Sequence, residues 1–355
     1  MPSPALAQTS AVFRLEVRKT FFARRSLWVY LLALAPLLLF FGYSVQTRME
    51  SAQRQQLAAE NQKPLTAADF AAIHRGMSDS EVLSRLGPPP RRITFRQRRR
   101  DNHDNIVVDQ NQWYRYSDGS TDYSIVIANG AVARIRSNTA PSVNDLETTF
   151  ASIFQFFFLR LAVFFGCLGI FMNLFRGELL DKSLHFYFLA PLRRSRVLAG
   201  KFLAGLAAAI TIFCISVALQ LFTLARLTGN ALPHAASYIA ITALACLGYG
   251  AVFLAAGLLF KNPVAPAAAL LVWESLNPFL PALLKKFSVI YYLGQLTPVS
   301  VASGPGTSAL FALLVSTPDP ISPLAAILGL ILVTALVLAY AIRRVRTLEI
   351  DYSSE

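Results

Sequence analysis

Six runs of about twenty apolar residues mark out the chain, near 27–46, 152–174, 202–225, 236–260, 264–284 and 321–342. A hydrocarbon core about 30 Å thick is crossed by a helix of about 20 residues, and only a helix or a closed barrel satisfies its own backbone there. The runs predict an integral membrane protein, mainly helical, with six spans. Composition agrees: 54% of the 355 residues are hydrophobic and 15% are charged, too apolar for a water-soluble domain of this length. The first run exceeds the apolar stretch of a signal peptide, and no small-residue cleavage site follows before "QTRMESAQRQQ". It reads as a retained anchor.

The formal net charge is +13, but the bases flank the apolar runs or lie in one polar block, with no single basic face for nucleic acid. Anionic lipid headgroups are the expected partner. Arg14, Arg18, Lys19, Arg24 and Arg25 precede the first span. Arg176, Lys182, Arg193, Arg194, Arg196 and Lys201 separate the second from the third, and Arg343, Arg344 and Arg346 follow the sixth. Short basic loops stay in the cytoplasm. An even span count puts all three groups on that side, with both termini cytoplasmic and residues 47–150 outside. Lys285 and Lys286 are exceptions, and Arg160 must snorkel or face protein. Cys167, Cys214 and Cys246 sit in apolar runs without C-x-x-C spacing, and His74, His103, His185 and His234 form no ligand pair. Neither a disulfide framework nor a metal site is expected.

The polar block between the first two spans begins with a linker, residues 47–64, which either continues the first helix or frays. In "LTAADFAAIHRGM" and "SDSEVLSRLGPP" two short helices are predicted, the second with capping-box spacing at Ser78 and Glu81 and a stop at Gly87-Pro88. "RRITFRQ", "NQWYRYSDG", "TDYSIVIANG" and "AVARIRS" then read as a β-meander, with Asp118-Gly119 and Asn129-Gly130 at turns. The expectation for 65–140 is two helices followed by an antiparallel sheet. "GMSDSEVLSRLGPP", "WYRY" and "SIVIANGAVARI" resemble the SmpA/OmlA (BamE-like) lipoprotein domain, although the lipobox cysteine is absent. The resemblance covers about residues 65–137 and implies a protein-docking or gating module with an extracytoplasmic partner. A folded spacer fits the same pattern.

"FRGELLDKSLHFYFLAPLRRSRVLAGK", residues 175–201, brings acids, bases and aromatics together between two spans. Glu178, Asp181, Lys182 and His185 fall on one helical stripe, and Leu180, Leu184, Tyr187 and Phe188 fall on the opposite one. This spacing predicts a surface helix over 178–190, ended by Pro191 and followed by a basic anchor at Arg193, Arg194, Arg196 and Lys201 that suits phosphate headgroups or an acidic patch. Amphipathicity alone fits an interfacial helix that only anchors a loop. The N-terminal "VFRLEVRKTFFARRS" is also two-faced, with Phe13, Val17 and Phe21 opposite Arg14, Arg18 and Arg25.

The order of basic amphipathic start, span, outer segment, span, "RGELLDKSLHFYFLAPLRRSRVLAGKFLAG" and four more spans resembles the permease subunits of ABC-2 type transporters. The matching residues are Glu178, Ser183, Leu184, Leu189, Pro191, Arg194, Gly200 and Lys201, within a resemblance over about 11–46 and 150–345. It implies a six-helix transmembrane domain in a bacterial cytoplasmic membrane. It further implies a cytoplasmic ATPase partner gripping the 178–190 helix, and a second permease copy. Glu178, Asp181, Lys182, Leu184, His185, Tyr187, Phe188, Arg193 and Arg194 form the expected coupling interface. Nothing in the chain matches G-x-x-x-x-G-K-[ST]; "SGPGTSA" at 303–309 lacks the lysine. ATP and Mg are expected in the partner, and no cofactor or catalytic residue is expected here. The domains are then 1–46, 47–64, 65–140, 150–345 and a tail at 346–355.

Glu274 lies inside the fifth apolar run, where an ionised carboxylate costs roughly 3 kcal/mol to insert. It is a candidate for a gate or substrate path. The structural alternatives are a protonated acid, or one bonded to Asn277 or a neighbouring span. After Pro298, "SGPG" and "SALFALLVS" are too short to cross and read as re-entrant or surface-lying. A non-transporting scaffold that displays the outer domain to an envelope partner is the rival to an ABC exporter permease. An intramembrane enzyme is disfavoured, because Glu274, Asp181 and His185 fall at different depths.

Overall fold

The computed structural model describes residues 4–22, 26–100, 106–172, 174, 194–229, 234–260, 262, 264–299 and 321–346. In chain order its elements are α1 (Pro4–Phe22), α2 (Ser26–Glu60), α3 (Ala67–Ala71), α4 (Asp79–Leu86), β1 (Arg91–Arg100), β2 (Ile106–Ser117), β3 (Thr121–Ala128), β4 (Ala131–Thr139), α5 (Val143–Phe171), α6 (Arg194–Thr228), α7 (Ala235–Leu259), α8 (Val264–Ser275), α9 (Ala282–Lys285), α10 (Val289–Leu296) and α11 (Pro323–Arg346). The chain divides into two compact units, Met1–Phe41 with Asp145–Glu355, and Gly42–Asn144.

Among the described residues, five helices are long and apolar enough to cross a bilayer: Ser26–Glu60, Val143–Phe171, Ser195–Thr228, Ala235–Leu259 and Pro323–Val345. The fifth expected span, 264–284, is broken. Its helix stops at Ser275 after 12 residues, a length of about 18 Å. A 3-10 turn at Asn277–Phe279 and the four-residue α9 follow. Pro278 and Pro281 explain the break, since each lacks an N–H and clashes with the preceding turn. α2 is continuous to Glu60, so the expected linker is helical over most of its length.

α7 is the centre of the larger unit and packs against α5, α6, α10 and α11. The most apolar stretch of α7 is 67% buried, against 22% for α11. α11 therefore leaves most of its surface for lipid or another chain. In α5, Phe150, Phe154 and Phe158 are fully buried one turn apart, and Tyr238 meets Phe150 and Phe154 edge-on at 4.9 Å each. These T-shaped contacts add to the burial of the rings themselves. Residues Phe154–Val163 wind as a π-helix, a form that recurs at functional sites. Arg160 lies in it, with its guanidinium 5.2 Å from the Phe156 ring centroid.

In the smaller unit, four antiparallel strands in the order β1-β2-β3-β4 form the meander, preceded by α3 and α4. The two quoted ends of its sequence pattern meet: Gly76 N donates to Val132 O, Val132 N to Met77 O and Asp79 N to Gly130 O, all at 2.9 Å. Asn129 (φ 53°) and Gly130 (φ 79°) both take the left-handed conformation of the hairpin turn, which selects Asn-Gly. Ser78 caps α4 by accepting from Glu81 N at 3.3 Å. The core comprises Phe70, Met77, Val82, Leu86, Tyr114, Tyr116, Ile125, Ile127 and Val132. Tyr116 donates its hydroxyl to Gly87 O at 2.8 Å.

The Asp118 turn carries a pH dependence. Burial raises the Asp118 pKa, but hydrogen bonds from Thr121 N, the Ser120 hydroxyl and N–H, and the Tyr123 hydroxyl outweigh it and hold the carboxyl below its ordinary 3.8. A folded pKa below the unfolded one contributes stability that is present above the unfolded pKa and is lost as pH falls through the folded one. Amide protection at 118–121, corrected for intrinsic exchange, is expected to drop as pH falls from about 4, near the unfolded value. Asp118→Asn should flatten that dependence. An unchanged slope would show that these bonds do not favour the ionised form.

Candidate functional site

The expected coupling interface falls largely outside the described residues: Glu178, Asp181, Lys182, Leu184, His185, Tyr187, Phe188 and Arg193 all belong to 175–193. Arg194 opens α6. What the structure supplies is the frame on which that segment is strung, from Leu174 at one end to Arg194 at the other.

That frame has a charged centre. α1 packs along α6, burying Val12 and Glu16 while Arg14 and Arg18 stay exposed. Lys201, two turns into α6, is 0% exposed. Its Nζ donates to Glu16 Oε1 at 2.9 Å and to Leu174 O at 3.0 Å. Lys19 adds a weaker approach to the same carboxylate, 3.9 Å away. Removing two charges from water costs several kcal/mol apiece, and only a short, hydrogen-bonded pair offsets that. Instead of joining a basic anchor among lipid headgroups, Lys201 is consumed inside the protein. Glu16 was overlooked in the sequence because the basic stripe of α1 dominates its pattern. The available signal was position: Glu16 lies four residues after Val12 and so shares its buried stripe.

Glu274 marks the second place. It is 7% exposed at the end of α8. Its Oε2 accepts from Ser288 Oγ at 2.5 Å and Ile290 N at 3.1 Å, and its Oε1 accepts from Val289 N at 3.0 Å. The carboxylate thus fastens the end of α8 to the first turn of α10, where free N–H groups and the helix dipole favour an anion. Asn277 does not take this role; its amide donates to Lys285 O at 3.5 Å. Ser288, fully buried, was not singled out in the sequence, although Ser before an apolar run signals a helix start.

A small recess is bounded by residues that include Glu147, Phe150, Leu221, Leu224, His234 and Tyr238. It has room for about one water molecule, far short of a ligand cleft. It identifies no substrate.

Compared with known proteins, the chain matches the family described as ABC-2 family transporter protein over residues 10–344. No curated protein matches it.

Proposed function

The chain belongs to the ABC-2 transporter family, a premise from which we propose that it is the permease subunit of an ABC exporter, driven by ATP hydrolysed in a separate cytoplasmic ATPase with Mg. The observation that carries this reading is the family match from residue 10 to residue 344, which runs through α1, the 175–193 segment and α11. In this reading 178–190 is the coupling helix in a bacterial cytoplasmic membrane with both termini inside, and a second copy completes the pathway. Six crossings are proposed, the fifth made by the broken 264–296 stretch. Glu274 is proposed as the latch of that stretch. The 65–140 domain is proposed to lie outside the membrane and dock a protein partner in the manner of BamE-like domains.

The test is isolation of the chain with its ATPase. Leu184→Asp and Phe188→Asp place a charge on the apolar stripe, and about a hundredfold loss of ATPase association is expected, the scale of a lost interface anchor. Membrane insertion should be retained. Intact association in both variants would sink the coupling assignment, and a chain isolated without any ATPase would favour the scaffold.

A further inference from the structure

Residues 175–193 join the rest of the chain at two points, Leu174 and Arg194. Those ends are the covalent route by which a displacement of that segment reaches the spans. Lys201 bonds to Leu174 O while belonging to the helix that Arg194 opens. It therefore ties Leu174 to α6 two turns past Arg194. The same ammonium grips Glu16 in α1, a helix with no covalent path to either root except through the whole of the first two spans. Three separate elements meet on one nitrogen.

We propose that the Glu16–Lys201 pair is a positioning contact that makes α1 move together with the roots of the 175–193 segment, so that force applied there is shared by spans one, two and three. The proposal rests on the permease reading. Geometry favours transmission over mere cohesion. Apolar residues of α1 such as Val12 can slide against α6 at small cost, because packing is non-directional. A buried ion pair has one register: a shift that separates its charges gives up a short, directional bond in a dry environment, where that bond is hard to replace. The contact is thus stiff where its surroundings are soft. Leu174 strengthens this argument, since its carbonyl is held by a charged donor, a bond roughly twice as strong as a neutral one.

The experiment uses the full chain with its ATPase in nanodiscs and compares Glu16→Gln, Lys201→Met and the exchanged pair Glu16→Lys/Lys201→Glu. Two readings are taken: stimulation, as ATP hydrolysis by the complex over that of the ATPase alone (the basal rate), and the spin-label distance between Ser10→Cys on α1 and Ala199→Cys on α6, both exposed positions. The single variants are expected to keep ATPase association. They should lose about tenfold in stimulation, within the range of a coupling contact, with a broadened distance distribution. The exchanged pair should recover part of both. Normal stimulation in both single variants, or an exchanged pair no better than they are, overturns the proposal while leaving the permease reading intact. A native chain that binds no ATPase overturns the permease reading and this inference with it. The spin-label distance does not depend on the ATPase, so an unbroadened distribution in Lys201→Met overturns the positioning role on its own.

Discussion

Glu274→Ala is expected to destabilise the helical unit by about 3 kcal/mol or more, since it strands a buried hydroxyl and two buried N–H groups that each cost about 1 to 3 kcal/mol unpaired. The donors are those of Ser288, Val289 and Ile290. Glu274→Gln should be milder, at about 1 to 3 kcal/mol. The amide keeps one acceptor oxygen but turns an NH2 group toward donors, and the Ser288 hydroxyl can rotate to accept from it. The order Ala worse than Gln worse than native separates this account from a lipid-facing acid, whose removal would raise stability by relieving the cost of inserting it. Thermal unfolding of the detergent-solubilised chain gives the order, and amide exchange at 289–292 gives the location. Equal stability of all three proteins, or exchange unchanged at α10, would refute the latch.

The same residue shows why hydropathy could reveal the membrane class but not the route of the chain. Residues 264–284 count as apolar whichever path they take, and Pro278 and Pro281 add little to a hydropathy sum. In the backbone those two residues decide the matter, because each removes a donor and blocks the turn before it. The broken path would leave the first N–H groups of α10 without intrahelical partners; Glu274 accepts from Val289 N and Ile290 N, and Ser288 Oγ accepts from Tyr291 N. The acid that looked costly in a continuous span is satisfied in a broken one. In the smaller unit the local signals were sufficient. Asp118-Gly119 and Asn129-Gly130 mark turns whose backbone requires those residues, and alternation along the strands assigns the faces. The Glu16–Lys201 pair was illegible for another reason: its partners are 185 residues apart, and no periodicity within one helix registers a partner on another.

Phe171 is where the largest packing effect is expected. Its ring is 0% exposed and touches two helices that have no side chain at the point of contact. A Cβ added at Gly205 of α6 would lie 2.9 Å from Phe171 Cε1, and one at Gly250 of α7 would lie 2.6 Å from Phe171 Cζ. Between apolar helices in lipid, close packing at small residues replaces the hydrophobic drive that water supplies elsewhere. Phe171→Ala should cost about 3 to 5 kcal/mol through lost contacts and an unfilled cavity. Gly250→Val should cost about 1 to 3 kcal/mol by displacing the ring. In the double variant the valine occupies space the ring has left, so the two costs should fall short of their sum by about 0.5 to 3 kcal/mol. Unfolding midpoints of the four proteins measure that difference, and strict additivity would mean that ring and glycine do not share a space. Phe171 lies three residues before Leu174, whose carbonyl takes the Lys201 ammonium. A loosened ring should therefore also broaden the α1–α6 distance distribution. Gly250→Val on α7 tests this without altering any residue of the ion pair.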